Sequence, residues 1–444
     1  MKVWDEYEDI FSEDNLKRIY DENILLSTAT GVDNMNHKIF NNISGEQISI
    51  VRNKALKGNY DFTKYKLKLI SKGRGKAPRE ISIPTIRDRI ALRALCDLLQ
   101  SRFSSSLNFM LPQQVIHDVK NKISSESYSA YIKLDVSNFY PSIKHDKLLS
   151  RLKKRIKDKE ILNVIENAIT AQTVIRPSSK DLKNTCGVPQ GLSISNVLAA
   201  IFLSNIDKRF SSKINLKYYR YVDDVLILCR SDEVKEISDE VIYQFRRLGL
   251  KIHCPIKAPE KSSIGDIGAD DFSYLGYYFD DKLVSARKGS IDKLRESILS
   301  IFTGYKHSKL KSKKFLEWRL NLRITGCIFT NKSKGWLFFF SEINDEVLLH
   351  ELDHFVRNLC KRYSVDISPK KFVRSYYEIS HKKYDSKYIP NFDRYAVNDM
   401  AYVLSEYFNK STKGMSDFDV EYNFKKRISR QVKDLETDIM DFGY

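Results

Sequence analysis

Cysteine is scarce and scattered in this chain. Its six residues, Cys96, Cys186, Cys229, Cys254, Cys327 and Cys360, form no CxxC pair, no Cys/His cluster and no regular framework. Neither structural zinc nor a disulfide scaffold is expected, and a reducing compartment fits. Long hydrophobic runs are missing too. The longest, around 197–203, is far too short to cross a bilayer, and the acidic start Met1-Lys2-Val3-Trp4-Asp5-Glu6 has no apolar signal core. The expectation is a soluble, cytoplasmic protein that is not exported and has no membrane partner. No internal repeat or low-complexity tract is evident.

Negative charge is in deficit. With 75 Lys and Arg against 57 Asp and Glu the net charge is +18 and the pI about 9.3, as expected of a surface that tracks a polyanion. The densest basic stretch is Lys306-His307-Ser308-Lys309-Leu310-Lys311-Ser312-Lys313-Lys314, although a run of this kind also fits a solvated helix face. Aromatics are plentiful, with 25 Tyr and 24 Phe, enough for a core and for base stacking.

Two acids interrupt an otherwise apolar, β-branched run: Asp223 and Asp224 in Tyr218-Tyr219-Arg220-Tyr221-Val222-Asp223-Asp224-Val225-Leu226-Ile227-Leu228. A β-hairpin with acids at its tip is a rigid platform for presenting oxygen ligands to hard cations such as Mg²⁺. A second carboxylate, Asp135, ends the strand-like Tyr131-Ile132-Lys133-Leu134 before the chain breaks at Pro141. Carboxylates from two neighbouring strands holding two metal ions are the standard device for in-line displacement at a phosphate. Between them, Cys186-Gly187-Val188-Pro189-Gln190-Gly191-Leu192-Ser193 runs into the apolar helix-like stretch 197–210. Its glycines permit close backbone approach, and the helix dipole with Gln190 and Ser193 suits contact with a nucleotide and a template base. Taken singly, each piece also reads as a solvated turn, a strand-end cap or an ordinary loop.

In this order the three segments resemble the palm motifs of reverse transcriptases, with Tyr221-Val222-Asp223-Asp224 as the YxDD box and Pro189-Gln190-Gly191 as the PQG box. The resemblance implies an α+β right-hand polymerase with fingers, a palm built on an antiparallel sheet, and a helical thumb. It implies two Mg²⁺ ions, with Mn²⁺ as a possible substitute, held by Asp135, Asp223, Asp224 and the Val136 backbone carbonyl. Gln190 would contact the nucleotide, and Gly191, Ser193 and Tyr221 the template and primer. Lys72 and Arg79, on a basic Gly-rich hairpin at 68–89, look like the fingers residues that clamp the dNTP phosphates. Tyr140 sits where the family carries the ring that excludes a 2′-hydroxyl, which argues for DNA as product. Downstream, Leu275-Gly276 is similar to the primer grip. A lysine that protonates the leaving pyrophosphate is expected near 257–261, either Lys257 or Lys261, with Lys261 preferred on spacing; His253, where the family more often has Asn, reads as structural.

By the same resemblance, 1–48 form an N-terminal helical extension, 49–128 fingers, 129–285 palm with an insert at about 144–184, 286–370 thumb and 371–444 a helical C-terminal extension. That tail is too short for an RNase H domain, and no endonuclease or integrase signature is found. His350-Glu351-Leu352-Asp353-His354 carries the full HExxH spacing of a zinc helix, but with no evident third ligand, packing is the first reading.

The chain most resembles the unknown-group, defence-associated enzymes within the bacterial retron and group II intron-like reverse transcriptases; Ile324-Thr325-Gly326 keeps the retron class open. The expected activity is RNA-directed DNA synthesis on a cognate noncoding RNA, using dNTPs and releasing a DNA product. Template-independent or protein-primed synthesis is the alternative within enzymes, and a nucleic-acid-binding scaffold the alternative outside them. A homo-oligomer or a second protein partner is compatible with the sequence.

Overall fold

The computed structural model describes residues 2–71, 77–107 and 110–439. The chain divides into two compact units, one of Met1–Phe109 with Ala130–Ile264 and the other of Met110–Ser129 with Gly265–Tyr444. In the first, strands follow the order β1 (Tyr65–Ile70), β2 (Arg79–Ile83), β3 (Ala130–Ser137), β4 (Thr173–Val174), β5 (Lys217–Tyr221), β6 (Asp224–Cys229) and β7 (Lys251–Ile252). The α+β class expected from the sequence is the one observed.

The central sheet runs β5-β6-β3-β7. Alternation along β3 explains its orientation: Ile132, Leu134 and Val136 are at most 2% exposed, whereas Lys133, Asp135 and Ser137 on the other face are half-buried. Helix Ser195–Ser211 packs on β5, and helix Val234–Arg247 packs on β3 and β7. The apolar face is covered, so the face carrying Asp135 is the one left for chemistry.

A smaller sheet, β2-β1-β4, joins β1 and β2 as an antiparallel hairpin in which Ile70 faces Arg79. It leads into helix Ile86–Arg102, capped by the Thr85 hydroxyl accepting from the Asp88 N–H. Asp88 is fully buried, and its carboxylate is satisfied by the Tyr60 hydroxyl at 2.7 Å and the Thr63 N–H at 3.0 Å. Burial pushes its pKa up while those donors pull it down. The N-terminal helices share this core: Tyr7, Phe11, Leu16, Tyr20 and Phe40 are fully buried in it.

The second unit is mainly helical, with a small antiparallel meander of Phe272–Tyr274, Tyr277–Asp280 and Leu283–Ala286. Helix Lys313–Thr325 is tied to the residues after helix Asp417–Glu436 by an ion pair at 2.5 Å between Arg323 and Asp438, 6% and 4% exposed. Gly326, at φ +66°, could carry no side chain, because a Cβ would lie 2.3 Å from the Lys334 carbonyl oxygen. His350 and His354 lie on the exposed side of helix Glu346–Arg362, and Glu351 pairs with Arg295. Among the described residues no group of three His, Cys, Asp or Glu side chains forms a ready metal site. No helix among them is long and apolar enough to cross a membrane.

Candidate active site

The hairpin β5-β6 pairs Tyr221 with Asp224, which makes Val222-Asp223 a two-residue loop. Val222 has φ +56°. A tight hairpin with positive φ at its first loop position ordinarily takes glycine there, so a β-branched valine is strained. The reward is placement. Asp224 lies directly across from Asp135 on β3, and the Asp223 carbonyl accepts the Val136 N–H at 3.3 Å. Three carboxylates are thereby gathered at the ends of two adjacent strands.

Their charges oppose one another. Burial, then the Asp135 charge, raises the Asp223 pKa; burial, then Asp223, carries Asp224 from the ordinary 3.8 up to about 7. Two side chains approach the Asp135 carboxylate, with His253 Nε2 at 3.4 Å and Lys261 Nζ at 4.0 Å from its Oδ2. The Asp135 backbone is also held through both its polar groups, its N–H donating to Ser262 Oγ at 3.0 Å and its carbonyl accepting from the His253 N–H at 3.0 Å. Lys261, not the exposed Lys257, is the lysine that reaches the carboxylates. His253, read from sequence as structural, has its ring beside Asp135 as well.

An arginine holds the strained loop. Arg220, 10% exposed, donates through Nε and Nη2 to the two carboxylate oxygens of Asp207, at 2.7 and 2.5 Å, and through Nη1 to the Val222 carbonyl at 2.8 Å. Asp207 belongs to helix Ser195–Ser211 and also accepts from the Tyr218 hydroxyl at 3.0 Å. A planar bidentate pair of this kind fixes direction as well as distance.

The loop before that helix is built against strand β2. The Gln190 carbonyl accepts the Ser82 N–H of β2 at 2.7 Å. Gly191 sits at φ +97°, where a Cβ would come within 2.8 Å of Ile81 Cγ2. Gly191 therefore serves a close backbone approach to β2. Ser193 is exposed. On its other side the loop meets the turn after β3: the Val188 N–H donates to the Tyr140 carbonyl at 2.9 Å and the Gly187 N–H to the Ile143 carbonyl at 2.8 Å. The Tyr140 hydroxyl donates to Asn196 Oδ1 at the start of the helix. Burial, then the Asp223 charge, pushes that hydroxyl's pKa up, and the Arg79 charge acts on both Tyr140 and Asp223.

Residues 70–312, more than half of the chain, match the family described as reverse transcriptase (RNA-dependent DNA polymerase). The chain belongs to the reverse transcriptase family. Its curated relatives include Protein YkfC of Escherichia coli, 25% identical over 40% of this chain and 49% of that one. Another is the Group II intron-encoded protein LtrA of Lactococcus lactis, 24% identical over 45% of this chain and 33% of that one. The chain thus spans about half or less of the length of the curated relatives it matches. Among solved structures, telomerase from Candida albicans covers 90% of this chain and 68% of its own at 13% identity and a TM-score of 0.44, a likeness too low to carry an argument.

Within this reverse transcriptase domain the fold brings together Asp135, Val136, Asp223, Asp224 and Lys261, with Arg79, Tyr140 and Tyr221 around them and Gln190 bonded to β2. It does not bring in every expected residue. Lys72 lies outside the described residues. Leu275 and Gly276 belong to the second unit, where both have positive φ and form the two-residue turn between Tyr274 and Tyr277. Both are buried, which suits shaping a turn better than presenting a side chain. Sequence reasoning missed Arg220, Asp207, Asn196 and Ser262. The first two had a signal: a charge in a strand and a charge in an apolar helix each demand a partner.

Replacing Asp207 by Asn keeps an acceptor but removes the charge that fixes Arg220. Polymerase activity is expected to fall about tenfold to a hundredfold through misplacement of Asp223, with KM for nucleotide little changed. Full kcat in Asp207→Asn would exclude the clamp. A raised folded pKa means that between about pH 4 and about 7 the folded chain holds more protons at Asp224 than the unfolded one, so stability falls as pH rises through that window. Asp224→Asn is therefore expected to melt at a higher temperature than wild type in EDTA above pH 7, the difference closing as the pH falls toward about 4. Equal melting temperatures on the alkaline side would show that the charge costs nothing there.

Proposed function

We propose that this protein is an RNA-directed DNA polymerase that extends a 3′-hydroxyl with deoxynucleotides. The observation that carries the reading is the placement of Asp135 across from Asp224 with Asp223 at the strained loop between them. The donor set fits hard divalent cations: all oxygen, mutually repelling, and with two of its carboxyl groups raised in pKa by burial and then by the neighbouring carboxylates. The three aspartates do not form a closed cage, which accords with Mg²⁺, an ion commonly bound by one or two carboxylates together with substrate phosphates and water. Bound Mg²⁺, or Mn²⁺ in its place, would supply Lewis-acid activation of the attacking hydroxyl and stabilisation of the leaving pyrophosphate.

The chain's own groups do the rest. In an extended strand a residue's N–H and C=O point to the same side, so the Val136 carbonyl faces the hairpin tip beside the carboxylates. Lys261 would give its proton to the leaving group, and Arg79 would bridge two phosphate oxygens. The Tyr140 ring, anchored through Asn196, would lie under the sugar and exclude a 2′-hydroxyl. As template we infer a dedicated noncoding RNA, and as setting anti-phage defence; both rest on family resemblance. The likeness to a group II intron-encoded protein supports a structured RNA partner.

The test is sequencing of nucleic acid that copurifies with wild type and with Asp223→Ala. One discrete RNA in both, with complementary DNA only in wild type, is the expected result; DNA unrelated to any bound RNA, or DNA undiminished in the variant, would refute the reading. In a second measurement, Tyr140→Ala should incorporate ribonucleotides that wild type rejects, and an unchanged preference for dNTPs would remove Tyr140 from the gate.

A further inference from the structure

A cleft of about 610 Å³ opens in the first unit among helix His145–Leu152 with the turn that follows it, helix Ser195–Ser211, and the end of helix Val234–Arg247. Its lining carries five cations, Lys147, Arg151, Lys154, Arg209 and Arg247, and one carboxylate, Asp146. Two of the cations are committed: Lys147 donates to the Arg247 carbonyl at 2.6 Å, and Arg209 pairs with Glu240. Arg151 and Lys154 have no hydrogen-bonded or ion-paired side-chain partner among the described residues. Arg151 is also half-buried, and the loss of water lowers its pKa, with only the more distant charge of Asp207 opposing. A cation partly withdrawn from water and left without an anion is unfavourable unless something else neutralises it.

The chemistry of that neutralising group follows from the lining. Guanidinium and ammonium groups with Ser150, Asn205 and Gln244 among them offer hydrogen-bond donors to phosphate oxygens. No aromatic ring among the described residues lines the cleft, so nothing there stacks a base, and binding would be to the phosphodiester backbone rather than to sequence.

We propose that this cleft holds the backbone of an RNA segment other than the one being copied, which makes it a second anchoring point for the bound RNA. The inference rests on the polymerase reading above for its choice of RNA over other phosphate-bearing ligands. The cleft and the hairpin share a wall: Asp207, which clamps Arg220, is the acid whose charge reaches Arg151. Arg151 is accordingly unsuitable as the only test residue, whereas Lys154 and Arg247 are exposed and outside the catalytic machinery.

The test compares wild type with the double variant Lys154→Glu/Arg247→Glu in binding long poly(U) RNA across a salt series, and in extending a short oligo(dT) primer on poly(A). The expected result is weaker poly(U) binding with a salt slope reduced by about 0.7 for each phosphate that is no longer neutralised, unchanged melting temperature, and unchanged extension. The charge-keeping variant Lys154→Arg/Arg247→Lys should bind as wild type does. Unchanged poly(U) affinity and slope in the charge-reversed protein would overturn the proposal. So would stoichiometric binding of ATP or pyrophosphate that depends on Lys154 and Arg247 while poly(U) binding does not, since the cleft would then serve free nucleotides. Wild type that binds poly(U) through these residues but extends no primer would refute the polymerase reading and leave the RNA-binding cleft standing.

Discussion

Three carboxylates held together against their own repulsion are the constraint on which the first unit depends. Asp135 and Asp224 face one another across two strands, and Asp223 occupies the loop beside them. Like charges placed opposite each other on a sheet are destabilising, and here burial, with the neighbouring carboxylates adding to it, raises the carboxyl pKa values. A backbone free to relax would let them separate. The surroundings prevent it: β3 and β6 are buried by apolar side chains, Ser262 and His253 hold the Asp135 backbone, and Arg220 braces the Val222 carbonyl from Asp207. Strain of this kind persists where neighbouring structure over-determines it, and it concentrates at functional sites.

The same rigidity extends outward through backbone approaches that leave no room for side chains. Gly191 allows the PQG loop to lie against β2, so the Gln190 carbonyl and the Ser82 N–H meet. Gly187, where a Cβ would come 3.1 Å from the Pro141 backbone, allows the loop to lie against the turn that carries Tyr140. The PQG loop, strand β2 and the turn that carries Tyr140 are thereby tied to one another by main-chain hydrogen bonds. Main-chain bonds hold position without side-chain rotamer freedom, which suits a site that must present a nucleotide in one geometry.

Much of this was legible in the chain as written. Strand alternation around Leu134 and the run Val225 to Cys229 marked both acid-bearing strands, and the YxDD and PQG boxes marked order and class. Gly187 and Gly191 were readable as permissive backbone, although their partners were not. What escaped were residues whose roles depend on distant neighbours. Arg220 and Asp207 are thirteen positions apart and meet only because a hairpin folds over a helix. His253 reaches Asp135 from more than a hundred positions away, as does Lys261, which its spacing had already favoured over Lys257. The HExxH spacing shows the reverse case, a local pattern with the letters of a zinc helix whose histidines lie on the exposed face of a packed helix, as the packing reading expected.

Local physics therefore determined a definite share. Alternating burial, turn chemistry and the type of each charged residue are properties of short segments, and they sufficed to mark the acid-bearing strands and the three aspartates; the family came from the resemblance of the YxDD and PQG boxes in their order. The tertiary structure alone decided that the His253 ring would lie beside Asp135, that a valine would occupy a loop position suited to glycine, and that an arginine–aspartate pair would hold it there. Those outcomes depend on distances between segments far apart in the chain, and no spacing along a sequence encodes a distance across a core.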